Sequence, residues 1–482
     1  MRGNLVANSA HNFEPKILVD LELERHGLAW TEPLKPSSFI SFSEGRRVVS
    51  WPRESDVRRE FDQFAVGDFD AQRALQDQLM ELAKVLDVGY FGPPPSFAEI
   101  AARPKTPAHR ELFSKVMFGS AGDLVREHLA SEELQASLAM LAASGNFLGP
   151  ETPGSAFQLF HRALYRGSSS VRNRPKIAAS AEFASRAPIG GMGAITQALA
   201  RAFEARGGHL RTECLVESIT VGPAGVNGVV LTTGEEYRAP VIVSAINPKT
   251  TITRLLPADE VDPEIRARFD ALTMAGCMAK VHVALNDLPQ FVCAKDSEEN
   301  RLLSRCGFRI GMSLAEMQQG FEAAGRGDWS GAPIVYGLVQ TAADPTLAPE
   351  GCHVMSLSVS YAPYHLSDGN WEDQGDAWAK HVINALTPHI SNLDQIVEDV
   401  RYLTPSDLET DFGLLEGHAL HGNLTAARAF DWRPAAGHSD YRGPVHGLYL
   451  CSNGTWPALY VSGLSGHNAA QEILRDMRER HH

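Results

Sequence analysis

The residues best suited to chemistry lie near the end of the chain: Leu448-Tyr449-Leu450-Cys451-Ser452-Asn453-Gly454-Thr455-Trp456-Pro457, then Val461-Ser462-Gly463-Leu464-Ser465-Gly466-His467-Asn468-Ala469-Ala470. A short apolar run stops at a loop of small residues, and the second stretch leads into a helix. Small residues are needed where a flat ligand lies against backbone, because a Cβ would hold it off. A helix N-terminus behind the loop offers N–H groups and partial positive charge to an electron-rich ring edge or a phosphate. The alternative is a buried strand, a turn and a helix with no ligand.

A second glycine cluster, Gly191-Met192-Gly193-Ala194-Ile195-Thr196, nearly matches G-x-G-x-x-G and opens a helix. Glu213 and Glu217 follow where a ribose-binding acid would stand. A dinucleotide fingerprint must follow a buried strand, yet Ala184-Ser185-Arg186-Ala187-Pro188 is not strand-like, and the third glycine position is Thr196. We read this segment as a loop that caps a helix and lets two segments approach closely. No G-x-S-x-G occurs, which excludes a nucleophile elbow. His418 and His421 are spaced by three without an evident helix or third ligand, so no metal site is expected. Lys280, on a predicted strand, reads as a snorkelling edge residue rather than a Schiff-base amine.

The elements that position these residues belong to an ordinary globular chain. It has 482 residues, 44% hydrophobic and 21% charged, and length alone suggests roughly three domain-sized units. The net charge of −14 argues against a nucleic-acid partner, which needs a basic face. Cys214, Cys277, Cys293, Cys306, Cys352 and Cys451 lie far apart with no C-x-x-C, so buried free thiols are expected. The first thirteen residues lack a long apolar core and do not read as a signal peptide. No run of about 18 apolar residues occurs, so no transmembrane segment is expected. His481-His482 is either native or a tag scar.

Periodicity predicts a helix over 14–26 ended by Gly27, then a strand at 39–42, a turn and a strand at 46–51. Residues 53–87 read as helix with Phe61, Phe64, Leu75, Leu79, Leu82 and Leu86 inward. Gly92-Pro93-Pro94-Pro95 is a break, and 107–166 is mostly helical, interrupted near 145–154. A helix over 194–206 precedes strands at 210–221, 226–232 and 237–238. Val241-Ile242-Val243-Ser244-Ala245 reads as a strand buried on both faces. Strands at 276–285 and 354–361 and a helix over 371–390 complete a mixed α/β pattern.

Several segments together carry a family resemblance: Leu21–Leu28, Gly190–Ile195, Asp344–Val354, Tyr361–Leu366, Phe412-Gly413-Leu414 with His421-Gly422, and the C-terminal loop. From about residue 14 to 478 the chain resembles the phytoene desaturase-like FAD-dependent oxidoreductases, in the branch of pyridine nucleotide-disulfide oxidoreductase domain-containing protein 2. The resemblance implies an α/β fold made of an incomplete FAD-binding Rossmann-like domain and a substrate domain with a mixed β-sheet and covering helices. Its parts would be 1–80 (first substrate strands and helices), 81–183 (helical cover), 184–258 and 426–482 (FAD-domain segments) and 259–425 (substrate domain). It further implies that Val216 passes the adenine and that Gly454, Thr455, Val461, Ser462 and Gly463 lie along the isoalloxazine. Trp456, Tyr460 and His467 would stand near the ring without an assigned acid/base role.

Members of the family begin with a strand, a Gly-rich turn, a helix and a second strand ending in an acid, and this sequence shows none of it. Losing about four charge-assisted hydrogen bonds of roughly 1.5–3 kcal/mol each would take nanomolar binding toward millimolar. The 241–245 strand would also keep an open apolar edge. Trp456, Leu459 and Tyr460 stand where the family has a histidine and glycines, and would crowd the flavin or reshape the substrate pocket. The implied reaction is hydride removal from a C–H bond of an apolar small molecule to FAD. The alternative is a non-catalytic regulatory relative with a protein partner that has lost FAD. The resemblance places such a chain in the cytoplasm of a bacterium, or in the mitochondrial matrix if it behaves like the eukaryotic relative, although no transit peptide is seen.

Overall fold

Alternating side chains build the largest sheet. The computed structural model describes residues 6–172, 185–276 and 278–479. Residues 1–5, Cys277, Ala184 and the His481-His482 pair considered above lie outside them. In chain order the strands are β1 (Ser38–Ser41), β2 (Arg47–Val49), β3 (Val216–Gly222), β4 (Gly225–Leu231), β5 (Glu236–Arg238) and β6 (Ile242–Ser244). They continue with β7 (Met278–Leu285), β8 (Gly307–Ile310), β9 (Ile334–Val339), β10 (His353–Ser360), β11 (Val397–Leu403) and β12 (Leu448–Leu450). Seven of them form a mixed sheet in the order β11-β7-β10-β9-β8-β1-β2, with β1 and β8 parallel.

Because successive side chains of a strand point to opposite faces, this sheet has two different sides. Val281 and Val283 of β7, Met355 and Leu357 of β10, Val335 of β9 and Phe308 of β8 are buried in one cluster with Trp378 and Val382 from the helix Trp371–Asn384 and with Leu386 just after it. Each such side chain contributes roughly 1.5–3 kcal/mol by leaving water. The register aligns Lys280 with Ser358, Ser358 with Tyr336, Tyr336 with Arg309, and Arg309 with Ile40. These residues therefore form one row on the opposite, more polar face.

Helices cover that polar face. Helix α1 (Pro15–Asp20) is followed by α2 (Glu54–Phe61), α3 (Asp68–Leu86), α4 (Phe97–Ala101), α5 (Pro107–Phe118), α6 (Ala121–His128), α7 (Glu132–Ala143) and α8 (Phe157–Gly167). Ser96, Thr106, Ser120 and Ser131 each cap a helix by accepting from an amide three residues on. Leu75, Leu79, Leu82 and Leu86 pack with Phe157, Phe160 and Leu164 as their spacing predicts, and Phe61 is buried. Phe64 is half-buried, with its ring 4.8 Å from that of Phe42.

Two sequence expectations are corrected. The helix expected over 14–26 stops at Asp20, and turns run on to Gly27, with Glu22 at φ 53°. The strand expected over 241–245 is three residues long and is not buried on both faces; Val243 is 47% exposed. Its cause is one-sided pairing. Strand β6 bonds in parallel to β12, and among the described residues no strand lies on its other edge. The open apolar edge anticipated from the sequence is thus present. Strands β3, β4 and β5 form a separate antiparallel sheet.

Candidate active site

The C-terminal loop is held by its own hydrogen bonds. After β12, the Cys451 amide donates to the Ser244 carbonyl at 2.9 Å, continuing the pairing with β6 by one residue. Ser452 then anchors the turn: its Oγ accepts from the Gly454 amide at 3.1 Å, and its carbonyl accepts from Thr455 Oγ1 at 2.8 Å. Thr455 is fully buried. Ser462 is buried and its Oγ accepts from the Leu464 amide at 3.3 Å, where the helix Leu464–Glu479 begins.

The small residues here have neighbours of their own. A Cβ at Gly454 would stand 2.3 Å from Pro248 Cδ, and one at Gly463, whose φ is +75°, would stand 2.6 Å from Ile17 Cδ1. Trp456 is fully buried and donates from Nε1 to the Gly89 carbonyl at 3.0 Å. Leu459 is buried in the helical core. His467 packs edge-on against Phe91 at 5.7 Å. Val216 opens β3, where it pairs with Leu231.

Asn453, Tyr460 and Val461 instead open on a cavity of about 630 Å³. Val216 does not line it. Its floor is the polar face of the large sheet, from Met278 through Ser358 and Tyr336 to Arg309. Its roof is α7 and α8, through Met140, Leu141, Arg162 and Arg166. Residues 6–9, 11 and 12 and the turn at Gly191 close the remaining sides. Tyr460 joins two walls: its hydroxyl donates to the Ser144 carbonyl at the end of α7, at 2.8 Å. It therefore shapes the cavity.

The Gly190-Gly191 turn is pinned to the connection between β9 and β10. The Gly190 amide donates to Asp344 Oδ2 at 2.6 Å, and Asp344 Oδ1 accepts from the Thr346 amide and hydroxyl. Gly190 and Gly191 have φ of +89° and +78°, which favours glycine at both. Pro188 makes a single β-bridge to Trp30, and no strand runs into the turn from Ser185 onward. The segment leads into the helix Gly193–Glu204, whose N-cap position is Met192.

Lys280 is not the snorkelling edge residue that the sequence suggests. Strand β7 is interior, flanked by β11 and β10, and Lys280 is fully buried. Its Nζ donates to Asn8 Oδ1 at 2.6 Å and to Ser358 Oγ at 3.0 Å. Burial lowers its pKa to about 7, because none of those partners is charged. Asn8 also donates to Ser358 Oγ at 3.2 Å and accepts from Ser356 Oγ at 3.0 Å. Both Asn8 and Ser358 line the cavity, so the amine lies one hydrogen bond from it.

Beside the loop, His418 Nδ1 accepts from the Leu420 amide while its other nitrogen meets Asn423 Oδ1 at 3.1 Å. His421 Nδ1 meets Ser452 Oγ at 3.0 Å. Burial holds the two histidines down to about 4 and about 3, so both are neutral at physiological pH. Among the described residues no cluster of three or more metal-ligating side chains occurs.

The rat protein described as pyridine nucleotide-disulfide oxidoreductase domain-containing protein 2 is 31% identical over 96% of this chain and 83% of its own length. The chain belongs to that family. A phytoene desaturase (lycopene-forming) of Pseudescherichia vulneris is 24% identical over 75% of the chain and 71% of its own length, as expected of a phytoene desaturase-like branch. The fold of this chain is similar to that of putrescine oxidase. A redesigned form of that enzyme superposes with a TM-score of 0.60, covering 99% of this chain and 88% of the other at 13% identity. No family model matches the chain. Among the described residues of this family member, no helix is long and apolar enough to cross a membrane.

The two ends of the loop offer different room for a flat ligand. At one end Asn453, Tyr460 and Val461 line the cavity of about 630 Å³. At the other end, the faces of Gly454 and Gly463 are already filled by Pro248 and Ile17. Among the described residues no strand, glycine turn and helix stand in sequence to receive a pyrophosphate.

Proposed function

We propose that the cavity is the reaction chamber of a flavin-type oxidoreductase acting on a small molecule with an apolar body. One observation carries this reading: the C-terminal loop, the polar row of the large sheet and the helical cover all close on the same 630 Å³ space. FAD, the cofactor that the family resemblance implies, would supply a hydride acceptor, the hard part of the chemistry. Asn453, Tyr460 and Val461 would hold it at its ring end. Met140, Leu141 and Met278 keep part of the chamber apolar and exclude water from the substrate.

Lys280 holds or yields a proton at Nζ near neutral pH, and Ser358 Oγ is the relay between that amine and the chamber. When a substrate C–H bond gives up a hydride, a neighbouring proton must also leave to form the new double bond, and a neutral Lys280 can receive it. Asn8 fixes the amine in place, since its amide contacts Lys280, Ser356 and Ser358 together.

A second reading is favoured by Pro248 and Ile17, which fill the faces of Gly454 and Gly463. In it the chain keeps the chamber as a binding site, does not hold FAD, and acts on a protein partner. A visible spectrum separates the two. After incubation with FAD into the millimolar range and gel filtration, the first reading expects a yellow protein with a shifted flavin band. A colourless protein would leave the second.

A further inference from the structure

We infer that the chamber takes an amphiphile with an anionic head, a carboxylate or phosphate, gripped by Arg309, Arg162 and Arg166 while its apolar body lies along Met140 and Leu141. This inference rests on the chamber proposed above and names the class of its substrate.

The first support is an imbalance of charge. Four arginines line the cavity, at 162, 166, 186 and 309, in a protein whose net charge is −14. Among the described residues Asp344 is the single carboxylate on its wall, and its two oxygens are occupied by Gly190 and Thr346. No carboxylate of the described residues pairs with Arg162, Arg166 or Arg309, and the groups that act on Arg309 electrostatically are Tyr336, Tyr460 and Arg162.

Geometry supplies the second support. Arg309 sits in the polar row, with its guanidinium 5.3 Å from the centre of the Tyr336 ring. Arg162 and Arg166 are four residues apart on α8, hence on one face of that helix. Arg162 Nη2 donates to His11 Nε2 at 3.2 Å, and His11 Nδ1 meets Ser9 Oγ at 2.6 Å. An imidazole that accepts from a guanidinium must be neutral, in agreement with the lowered pKa of His11 beside Arg162, Arg309 and Arg166. His11 therefore orients Arg162 without neutralising it. Guanidiniums that repel one another and lack an internal counter-ion are unfavourable for folding. Their natural partner is an anion bound bidentately, for which arginine is the suited residue.

The test uses the full chain without FAD and three probes in isothermal titration calorimetry: octanoate, octyl phosphate and octan-1-ol. At least one anionic probe is expected to bind ten-fold or more tightly than the alcohol, and the tighter of the two identifies the head group. Arg309→Gln is expected to weaken the anion about 10- to 100-fold, as loss of a charge-assisted contact should. It should leave octan-1-ol unchanged, and Arg309→Lys should recover part of the loss. The melting temperature of Arg309→Gln should be equal to or above that of the parent, since one of the repelling charges is gone. If that variant does not fold, accessible Arg166→Gln decides, with a smaller but anion-specific loss expected. Equal binding of anion and alcohol, no anion binding, or anion affinity indifferent to these substitutions would overturn the inference. Flavin uptake is scored separately. A colourless chain that binds octanoate sinks the oxidoreductase reading alone, and a yellow chain that prefers the alcohol sinks this one alone.

Discussion

The stability of the wild-type chain relative to a Lys280→Met variant rises by about 2 kcal/mol between about pH 7 and pH 9. The sign follows from where the amine titrates. In the unfolded chain Lys280 keeps its ordinary pKa of 10.5, whereas burial brings it to about 7 in the folded protein. Between those values the unfolded state binds more protons, so folding becomes more favourable as pH rises. Over the whole window, at about 1.36 kcal/mol per pH unit, the gain is on the order of 5 kcal/mol; it is absent below pH 7 and complete above 10.5. Methionine fills a similar volume and does not titrate. Urea titrations of both proteins across this range check the prediction. Parallel stability curves would show that Lys280 keeps its ordinary pKa, and the relay through Ser358 would lose its basis.

Arg433→Met is expected to cost about 3–5 kcal/mol of unfolding free energy, the scale for leaving buried polar groups without their charged partner. Arg433 is buried and spends its donors on backbone carbonyls of Leu420, Gly422, Asn423, Arg428 and Asn453. It thereby clamps the loop of His421 to the loop of Asn453, and both Leu420 and Asn453 face the chamber. Burial draws its own pKa down to about 9, so it remains charged at neutral pH. Arg433→Lys should recover less than half of the loss, because an ammonium has three donors at one point rather than a planar fork. A urea midpoint unchanged in Arg433→Met would contradict this view of the clamp.

Local signals in the sequence predict most of the elements that build the site. The strand over 276–285, the helix after Gly193 and the inward leucines of α3 follow from periodicity, and the family from motifs in order. What periodicity cannot supply is which strands become neighbours. Ala279-Lys280-Val281-His282-Val283 shows a polar residue at every second place, and Arg309 stands between apolar Phe308 and Ile310. The alternation marks a polar face. Strand order then makes Lys280, Ser358, Tyr336 and Arg309 one row, and it makes β7 interior, so Lys280 is not at an edge. Arg162 and Arg166 were legible as a four-residue pair on a helix, but nothing local says that they lack acids. Gly454 and Gly463 are small because protein side chains crowd them, a reason that the local sequence does not show. Their close neighbours Pro248 and Ile17 come from far along the chain. Val243 is exposed although it stands in an apolar run, because such a run does not reveal how many of its edges are paired.

The central claim is that the wall formed by Asn453, Tyr460 and Val461 receives a flavin ring inside the chamber. The most direct measurement is quenching of FAD fluorescence by the full chain, compared with Val461→Trp, whose indole would occupy the space in front of that wall. The account predicts quenching by the wild type that is lost or weakened at least ten-fold in the variant, with an unchanged melting temperature. No quenching by the wild type at any FAD concentration, or equal quenching by a folded Val461→Trp, would contradict it.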